Sequence, residues 1–222
     1  MAVIYAEIKK PKDVVIISKG HAAAASYAVL AHVGVIPLKI LKTFGANGST
    51  LGGHITHTGN EGIRLSTGSL GHGLPYAIGI AIAQKRRGKG ERTFVVISDG
   101  ECDEGTTWES ALLAQQFKLS NLIVVIDRNR IQSLAGTEET MALEPLKDKW
   151  FAFNWAVREI DGHNHEELLS VSNITTQPLV VIANTTKGKG VSFMEGKVLW
   201  HYRPPSESEL ESAIHEIEVA NK

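Results

Sequence analysis

Two apolar runs constrain this chain more than any other feature: Phe-Val-Val-Ile at 94–97 and Leu-Ile-Val-Val-Ile at 122–126. Both are uninterrupted and rich in β-branched side chains. That is the pattern of strands buried on both faces of a parallel sheet. Between them, residues 108–117 carry apolar side chains at helical spacing. Strand, crossover helix and strand make a β-α-β unit, the connection that parallel strands require. Ligands of such sheets sit beyond the carboxyl ends of the strands. Those ends read Ser98-Asp99-Gly100 and Asp127-Arg128-Asn129, so Asp99 and Asn129, 30 positions apart (129 − 99), share one edge. A carboxylate and an amide oxygen placed together suit a hard cation such as Mg²⁺, which completes its octahedron with phosphate oxygens and water. Gly100 leaves the backbone open to an approaching diphosphate. The plainer alternative is an Asp-Gly turn and a loop Asn; two strand ends at this separation favour the cation site.

The remaining segments extend the same α/β pattern. Residues 2–8 read as the end of an amphipathic helix, broken by Pro11. Residues 14–17 form a short apolar strand that leads through Ser18-Lys19-Gly20-His21 into a helix over 22–32. His21 therefore stands at a helix N-terminus, a place suited to an anion, although a lone His there is commonly structural. Residues 45–66, rich in Gly, Thr, Asn and His, predict a long functional loop rather than a buried element. His54 and His57 in that loop have no third ligand at a fixed offset, which argues against a metal site. Thr67-Gly68-Ser69-Leu70-Gly71-His72-Gly73 precedes a helix over 74–85, and glycines there let backbone N–H groups face a phosphate. Residues 85–92 form a solvated basic turn.

Beyond the central unit, residues 132–150 read as an irregular connection. A strand over 155–160 follows, then a turn and N-cap over 161–164, a helix over 165–171 and a last parallel-type strand over 178–183. His163 and His165 are read as structural. The Gly/Lys-rich loop 184–190 lacks the Walker spacing. Residues 206–219 predict an amphipathic helix with Ser206 as N-cap and Glu209 at the capping-box position. The fold class is α/β: a doubly wound, mainly parallel sheet with helices on both faces, in a single domain over 1–222.

Bulk properties narrow the function. With 23 basic and 24 acidic residues the formal charge is −1, which argues against nucleic acid or an anionic membrane as partner. A single cysteine excludes an internal disulfide and fits a reducing, cytoplasmic compartment. No apolar run reaches membrane-spanning length, and the first residues lack the pattern of a signal peptide.

These segments together, from about residue 2 to 219, resemble the diphosphate-binding (PP) domain of the transketolase family. The stretch 98–131 is similar to the family's thiamine diphosphate motif, a Gly-Asp-Gly-type turn, a spacer and Asn, with Ser98 in place of the first Gly. The resemblance implies that Asp99, Asn129 and the backbone carbonyl of Ile131 hold Mg²⁺ (or Ca²⁺), which holds the diphosphate beside Gly100. Ser-Lys-Gly-His matches a segment whose His, here His21, contacts the diphosphate. A family Gly-His that reaches the donor sugar is matched by His54, with His57 as the second candidate; Ile55 stands where Pro is usual. Thr-Gly-Ser-Leu-Gly-Gln-Gly is matched with His72 for Gln, and implies that Gly68 and Leu70 lie along the cofactor. Lys-Gly-Lys-Gly followed by Val-Ser-Phe-Met-Glu is shared with transketolases. So is Trp200-His201, whose His touches both diphosphate and sugar; Tyr202-Arg203-Pro204-Pro205 replaces the family's Gly-Lys-Ala-Pro. Glu104 and Glu109 match acidic positions toward the subunit interface, Glu104 counting among the cofactor-binding set. Their other reading is acids at a positive helix end.

The resemblance implies an N-terminal subunit of a heteromeric transketolase, active only with a partner. A helical hairpin bearing a Ser-Gly-His motif, the pyrimidine-binding domain and the C-terminal domain have no counterpart in these residues. The last two are expected on a partner chain, together in a heterotetramer. That partner would supply the carboxylate for the aminopyrimidine ring. The activity implied is transfer of a two-carbon ketol unit from a ketose to an aldose, on sugars or sugar phosphates, with the cofactor as electron sink. His21, His54 and His201 would orient hydroxyls and move protons. Three other readings stay open: a 1-deoxyxylulose-phosphate synthase-like or dehydrogenase-type thiamine enzyme, a non-catalytic scaffold subunit, and a plain nucleotide-binding domain. The last lacks a Gly-x-Gly-x-x-Gly turn after its first strand.

Overall fold

The computed structural model describes residues 1–172 and 175–220. Its described strands form one parallel sheet: β1 (Val14–Ile17), β2 (Thr93–Ser98), β3 (Leu122–Arg128), β4 (Ala156–Asp161) and β5 (Leu179–Asn184), in the order β1-β2-β3-β5-β4. The helices are α1 (Ala23–His32), α2 (Gly73–Arg87), α3 (Gly105–Gln116), α4 (Thr137–Thr140), α5 (Leu146–Ala152), α6 (His165–Leu169) and α7 (Glu207–Ala220).

Alternate strand residues enter opposite cores, as the pleat requires. Val15, Ile17, Phe94, Val96, Val125 and Val181 meet Tyr27 and Leu30 of α1 on one face. Ile16, Val95, Ile97, Val124, Ile126 and Val180 meet α2, α3 and Trp150 of α5 on the other. Every residue of β2 is buried. A strand covered on both faces has no polar side to show, which is why its sequence runs apolar without alternation. The doubly wound α/β class is the observed one.

Four local expectations need correction. Residues 132–150 are not irregular throughout: they hold α4 and the start of α5, where Leu143, Leu146 and Trp150 bury at helical spacing. Loop 45–66 is irregular but not wholly superficial. Leu51 and Ile55 enter the core, and buried Asn60 bonds the carbonyls of Thr50 (2.7 Å) and Thr56 (2.9 Å). Helix α3 buries Thr107, Ser110, Ala111 and Ala114, while Leu112, Leu113 and Phe117 stay exposed. Small side chains let it approach α2 and the sheet closely. The segment around 4–8 forms a π-helical turn rather than an α-helical end. The capping box of α7 is as expected, with Ser206 N donating to Glu209 Oε2 at 2.7 Å.

Candidate functional site

Strands β1, β2 and β3 run in register, Ile17 beside Val96 and Ser98 beside Asp127, so their exits converge on one edge. A pocket there is lined by His21 from the β1 exit, Leu70 from the loop before α2, and Asp99 and Gly100 from the β2 exit. Asn129 and Ile131 after β3 and His201 after β5 complete this set. Seven of the residues singled out in the sequence thus meet around one space. Gly68, His54 and Glu104 lie outside that lining. His54 is adjacent: its ring lies 3.1 Å from where a Cβ on Gly68 would stand, and its charge acts on His21. The backbone N–H of His57 donates to Ser66 Oγ at 3.0 Å, and its side chain is exposed. Glu104 is the exposed N-cap residue of α3, and Glu109 is exposed one turn on.

The Asp99 and Asn129 side chains are both held in place by backbone donors. Asp99 is 2% exposed. Its Oδ1 accepts from Gly100 N at 2.9 Å, and its Oδ2 from Arg130 N at 2.8 Å and Arg128 Nη1 at 3.3 Å. Arg130 holds φ near +64°, a left-handed conformation rare for a residue with a side chain; the bend aims its N–H at Asp99. Asn129 Oδ1 accepts from Ile131 N at 2.9 Å. Burial pushes the Asp99 carboxyl above its usual range, and the bonds from Arg130 and Arg128 only partly offset this. A cation would complete that compensation. No group of three or more His, Cys, Asp or Glu among the described residues could hold a metal. An ion on Asp99, Asn129 and the Ile131 carbonyl would need phosphate oxygens and water as further ligands.

Cationic and imidazole groups face this corner. The His21 and His201 rings lie 5.3 Å apart. Nδ1 of His201 is buried without a hydrogen-bond partner, an orphan that a ligand atom could satisfy. Trp200 fixes the neighbouring backbone, its Nε1 donating to Phe193 O at 3.0 Å and its ring under Arg203 at 4.5 Å. Lys19 pairs with Asp127 at 2.5 Å, and Thr185 Oγ1 donates to the same carboxylate at 2.5 Å. Burial opposes the Asp127 charge, but Lys19 and Thr185 hold its carboxyl below the usual range. Burial, then Lys19, pulls the Lys187 ammonium down from its ordinary value. His21 is brought down to about 4 by burial of its inner side, then by Lys19, His201, Lys187 and His54. Its outer edge is open to water, which screens part of this effect. Burial, then Lys187 and Lys19, lowers His201 as well. Both rings are therefore neutral at pH 7 and able to donate at one nitrogen and accept at the other.

The residue that joins the site's loops was not legible as a site residue. Glu101 is fully buried. It accepts from Ser18 Oγ, from Gly71 N at 3.1 Å, and from Ser98 N at 2.8 Å and Ser98 Oγ at 3.3 Å. Ser18 Oγ in turn accepts from Gly73 N at 3.1 Å. One carboxylate thus ties the exits of β1 and β2 to the turn before α2. Ser98-Asp99-Gly100-Glu101 has the capping-box spacing, the only sequence signal for it. Buried Arg128, Lys19 and half-buried Lys187 carry no such signal. Gly20 and Gly73 are required for close approach: a Cβ on either would stand 2.3 Å from Thr67 O or Ser18 Oγ.

Comparison with known proteins agrees with this geometry. Residues 9–218 match the family model for transketolase, thiamine diphosphate binding domain. One of the subunits of the apulose-4-phosphate transketolase of Actinobacillus succinogenes is 42% identical over 213 residues, covering 95% of this chain and 77% of that one. One from the 6-deoxy-6-sulfo-D-fructose transketolase of a Clostridium species is 39% identical, covering 93% and 77%. The crystal structure of transketolase from Campylobacter jejuni superposes with a TM-score of 0.88 at 28% identity, over 97% of this chain. The chain spans 37% of that transketolase's length. No helix among the described residues is long and apolar enough to cross a membrane. By family model, identity and fold alike, the chain belongs to the transketolase family, in which it matches the thiamine diphosphate binding domain.

Proposed function

We propose that this chain holds the diphosphate end of thiamine diphosphate and a divalent cation, Mg²⁺ or Ca²⁺, at the carboxyl edge of its sheet. We propose further that it is the N-terminal subunit of a two-polypeptide transketolase. The observation that carries this reading is the convergence of Asp99, Asn129, Ile131, Gly100, Leu70, His21 and His201 on one pocket.

In this reading Asp99, Asn129 and the Ile131 carbonyl hold the cation, and Gly100 lets the backbone come close to it. His21 and His201, with Lys19 and Lys187 behind them, face the anionic groups. Gly68 and Leu70 lie along the cofactor, Glu104 lies on its partner-facing side, and His54 reaches the sugar's hydroxyls. When bound, thiamine diphosphate supplies the electron sink for cleaving a carbon–carbon bond beside a carbonyl. The neutral imidazoles of His21 and His201 orient hydroxyls and exchange protons with them near pH 7. The substrates are a ketose donor and an aldose acceptor, as sugars or sugar phosphates. The partner carries the pyrimidine-binding domain, in a heterotetramer, in the cytoplasm. Support for a second polypeptide comes from relatives that are themselves called transketolase subunits.

Thiamine diphosphate binding with and without Mg²⁺ tests the first part. Binding that requires the metal and is lost in Asp99→Ala is expected; binding indifferent to Asp99 would overturn it. Co-expression with a candidate partner and assay of two-carbon transfer tests the second. Full turnover by this chain alone would refute the need for a partner.

A further inference from the structure

Arg128 is 1% exposed at the carboxyl end of β3, and its guanidinium meets four acceptors. Nη1 donates to Asp99 Oδ2 at 3.3 Å and Thr137 Oγ1 at 2.6 Å; Nη2 donates to Glu138 Oε1 at 2.8 Å and Glu144 Oε1 at 2.9 Å. The last three belong to one segment that begins at α4 and ends at the start of α5. That segment is tied internally to the same carboxylates. Glu138 accepts from Leu143 N and Glu144 N, each at 3.3 Å, and Glu144 accepts from Leu146 N at 2.9 Å. Its near end is tied to the pocket wall: Thr137 N donates to Arg130 O at 3.0 Å, and Gly136 bridges Ile131.

We infer that Arg128 is a positioning residue for the cation site, orienting the Asp99 carboxylate and anchoring the 136–146 segment, whose Gly136 bridges Ile131. The inference rests on the metal–diphosphate reading given above. Of the three proposed ligand groups, the guanidinium bonds the Asp99 side chain directly and holds the segment whose Gly136 bridges Ile131. A planar fork with five donors can serve both sides at once; the compact ammonium of a lysine cannot. Loss of an outer-shell partner that fixes a ligand's direction typically costs about 10–100-fold in metal affinity. Here the fixing group is a cation on the far side of the ligand. It holds Oδ2 together with Arg130 N, while Oδ1 accepts from Gly100 N, so the direction of the carboxylate is fixed from three donors.

The test is calorimetric titration of thiamine diphosphate into the full chain at a series of Mg²⁺ concentrations, with thermal unfolding of each apo variant measured alongside. Arg128→Lys is expected to raise the Mg²⁺ concentration for half-saturation by about 10-fold or more. The double variant Glu138→Gln with Glu144→Gln keeps Arg128 but frees the segment. Its side chains are 43% and 53% exposed, so the fold should survive, and a shift of about 10-fold in the same direction is expected. A variant that melts earlier but binds with the unchanged Mg²⁺ midpoint would show a merely structural role and overturn the inference. Asp99→Asn separates the two levels. If Asp99→Asn abolishes Mg²⁺-dependent binding while the Arg128 and Glu variants bind normally, the inference fails and the functional reading stands. If the unsubstituted chain shows no Mg²⁺-dependent binding, the functional reading fails and takes the inference with it.

Discussion

Replacing Glu101 by glutamine isolates the group that joins the site's loops. The side chain keeps its length, so no large cavity opens, but one of the two oxygens becomes an NH₂. If the NH₂ takes the place of Oε1, it faces Gly71 N, which then has no acceptor. If it takes the place of Oε2, it faces Ser98 N instead. In either orientation one buried backbone N–H is orphaned, which costs about 1–3 kcal/mol. The other bonds fall from charge-assisted to neutral strength, a further loss of about 1 kcal/mol in all. The expected destabilisation is about 2–4 kcal/mol, a large share of a typical domain's stability of about 5–15 kcal/mol. Urea unfolding followed by tryptophan fluorescence measures it; Trp108 is a near reporter, bonded through Nε1 to Cys102 O at 2.8 Å. The midpoint should fall with no change in slope. A loss under about 1 kcal/mol would refute the argument, because buried donors cannot lose their acceptor at so small a cost.

Other expectations follow from local geometry. Gly20→Ala would drive a Cβ to 2.3 Å from Thr67 O, a backbone clash expected to cost about 1–3 kcal/mol of unfolding free energy. Gly79→Ala, in α2 with nothing within 4 Å, should instead raise stability by about 1 kcal/mol through helix propensity. Asp13→Ala removes the carboxylate that Arg92 Nη2 meets at 2.7 Å, with side chains 2% and 10% exposed, and leaves that cation only the Ile8 carbonyl as acceptor among the described residues; the change should cost about 3–5 kcal/mol in the same urea assay. Acidification should destabilise the chain through His21. Its folded pKa is about 4 against about 6.5 unfolded, so the unfolded state takes up a proton first. Stability is then untouched above pH 6.5 and falls as pH drops toward 4. Urea midpoints across that window should fall less steeply in His21→Gln; equal slopes would argue against a depressed His21.

The strands and the site edge were legible because burial on both faces leaves no room for alternation in the sequence. The runs at 94–97 and 122–126 sit inside β2 and β3. Parallel register then obliges Asp99 and Asn129 to lie on one edge, so their proximity followed from topology. Segment 137–152 was not legible: its helices are short, and the spacing of Leu143, Leu146 and Trp150 is spread across the boundary between them. Helix α3 misled for the opposite reason. Its large apolar residues point outward, and the buried stripe of Thr107, Ser110, Ala111 and Ala114 has no hydrophobic contrast. Glu101, Arg128 and Lys19 escaped because burying a charge depends on partners brought in from distant loops. Lys19 and Asp127 are 108 positions apart, and no local pattern announces such a pair.

The strand order carries a kinetic consequence. The pair β2–β3 closes from Thr93 to Leu122, 29 positions (122 − 93), and β4–β5 from Ala156 to Leu179, 23 positions (179 − 156). The pair β1–β2 must join Val14 to Thr93, 79 positions apart (93 − 14). By chain entropy that closure costs about 0.9 kcal/mol more than β2–β3, and it also has to order the long 45–66 loop. Amides of β2 and β3 should therefore gain protection in pulsed hydrogen exchange before those of β1, and simultaneous protection would contradict this order. Since His21 and Lys19 enter with β1, their part of the pocket is expected to assemble after the Asp99–Asn129 part.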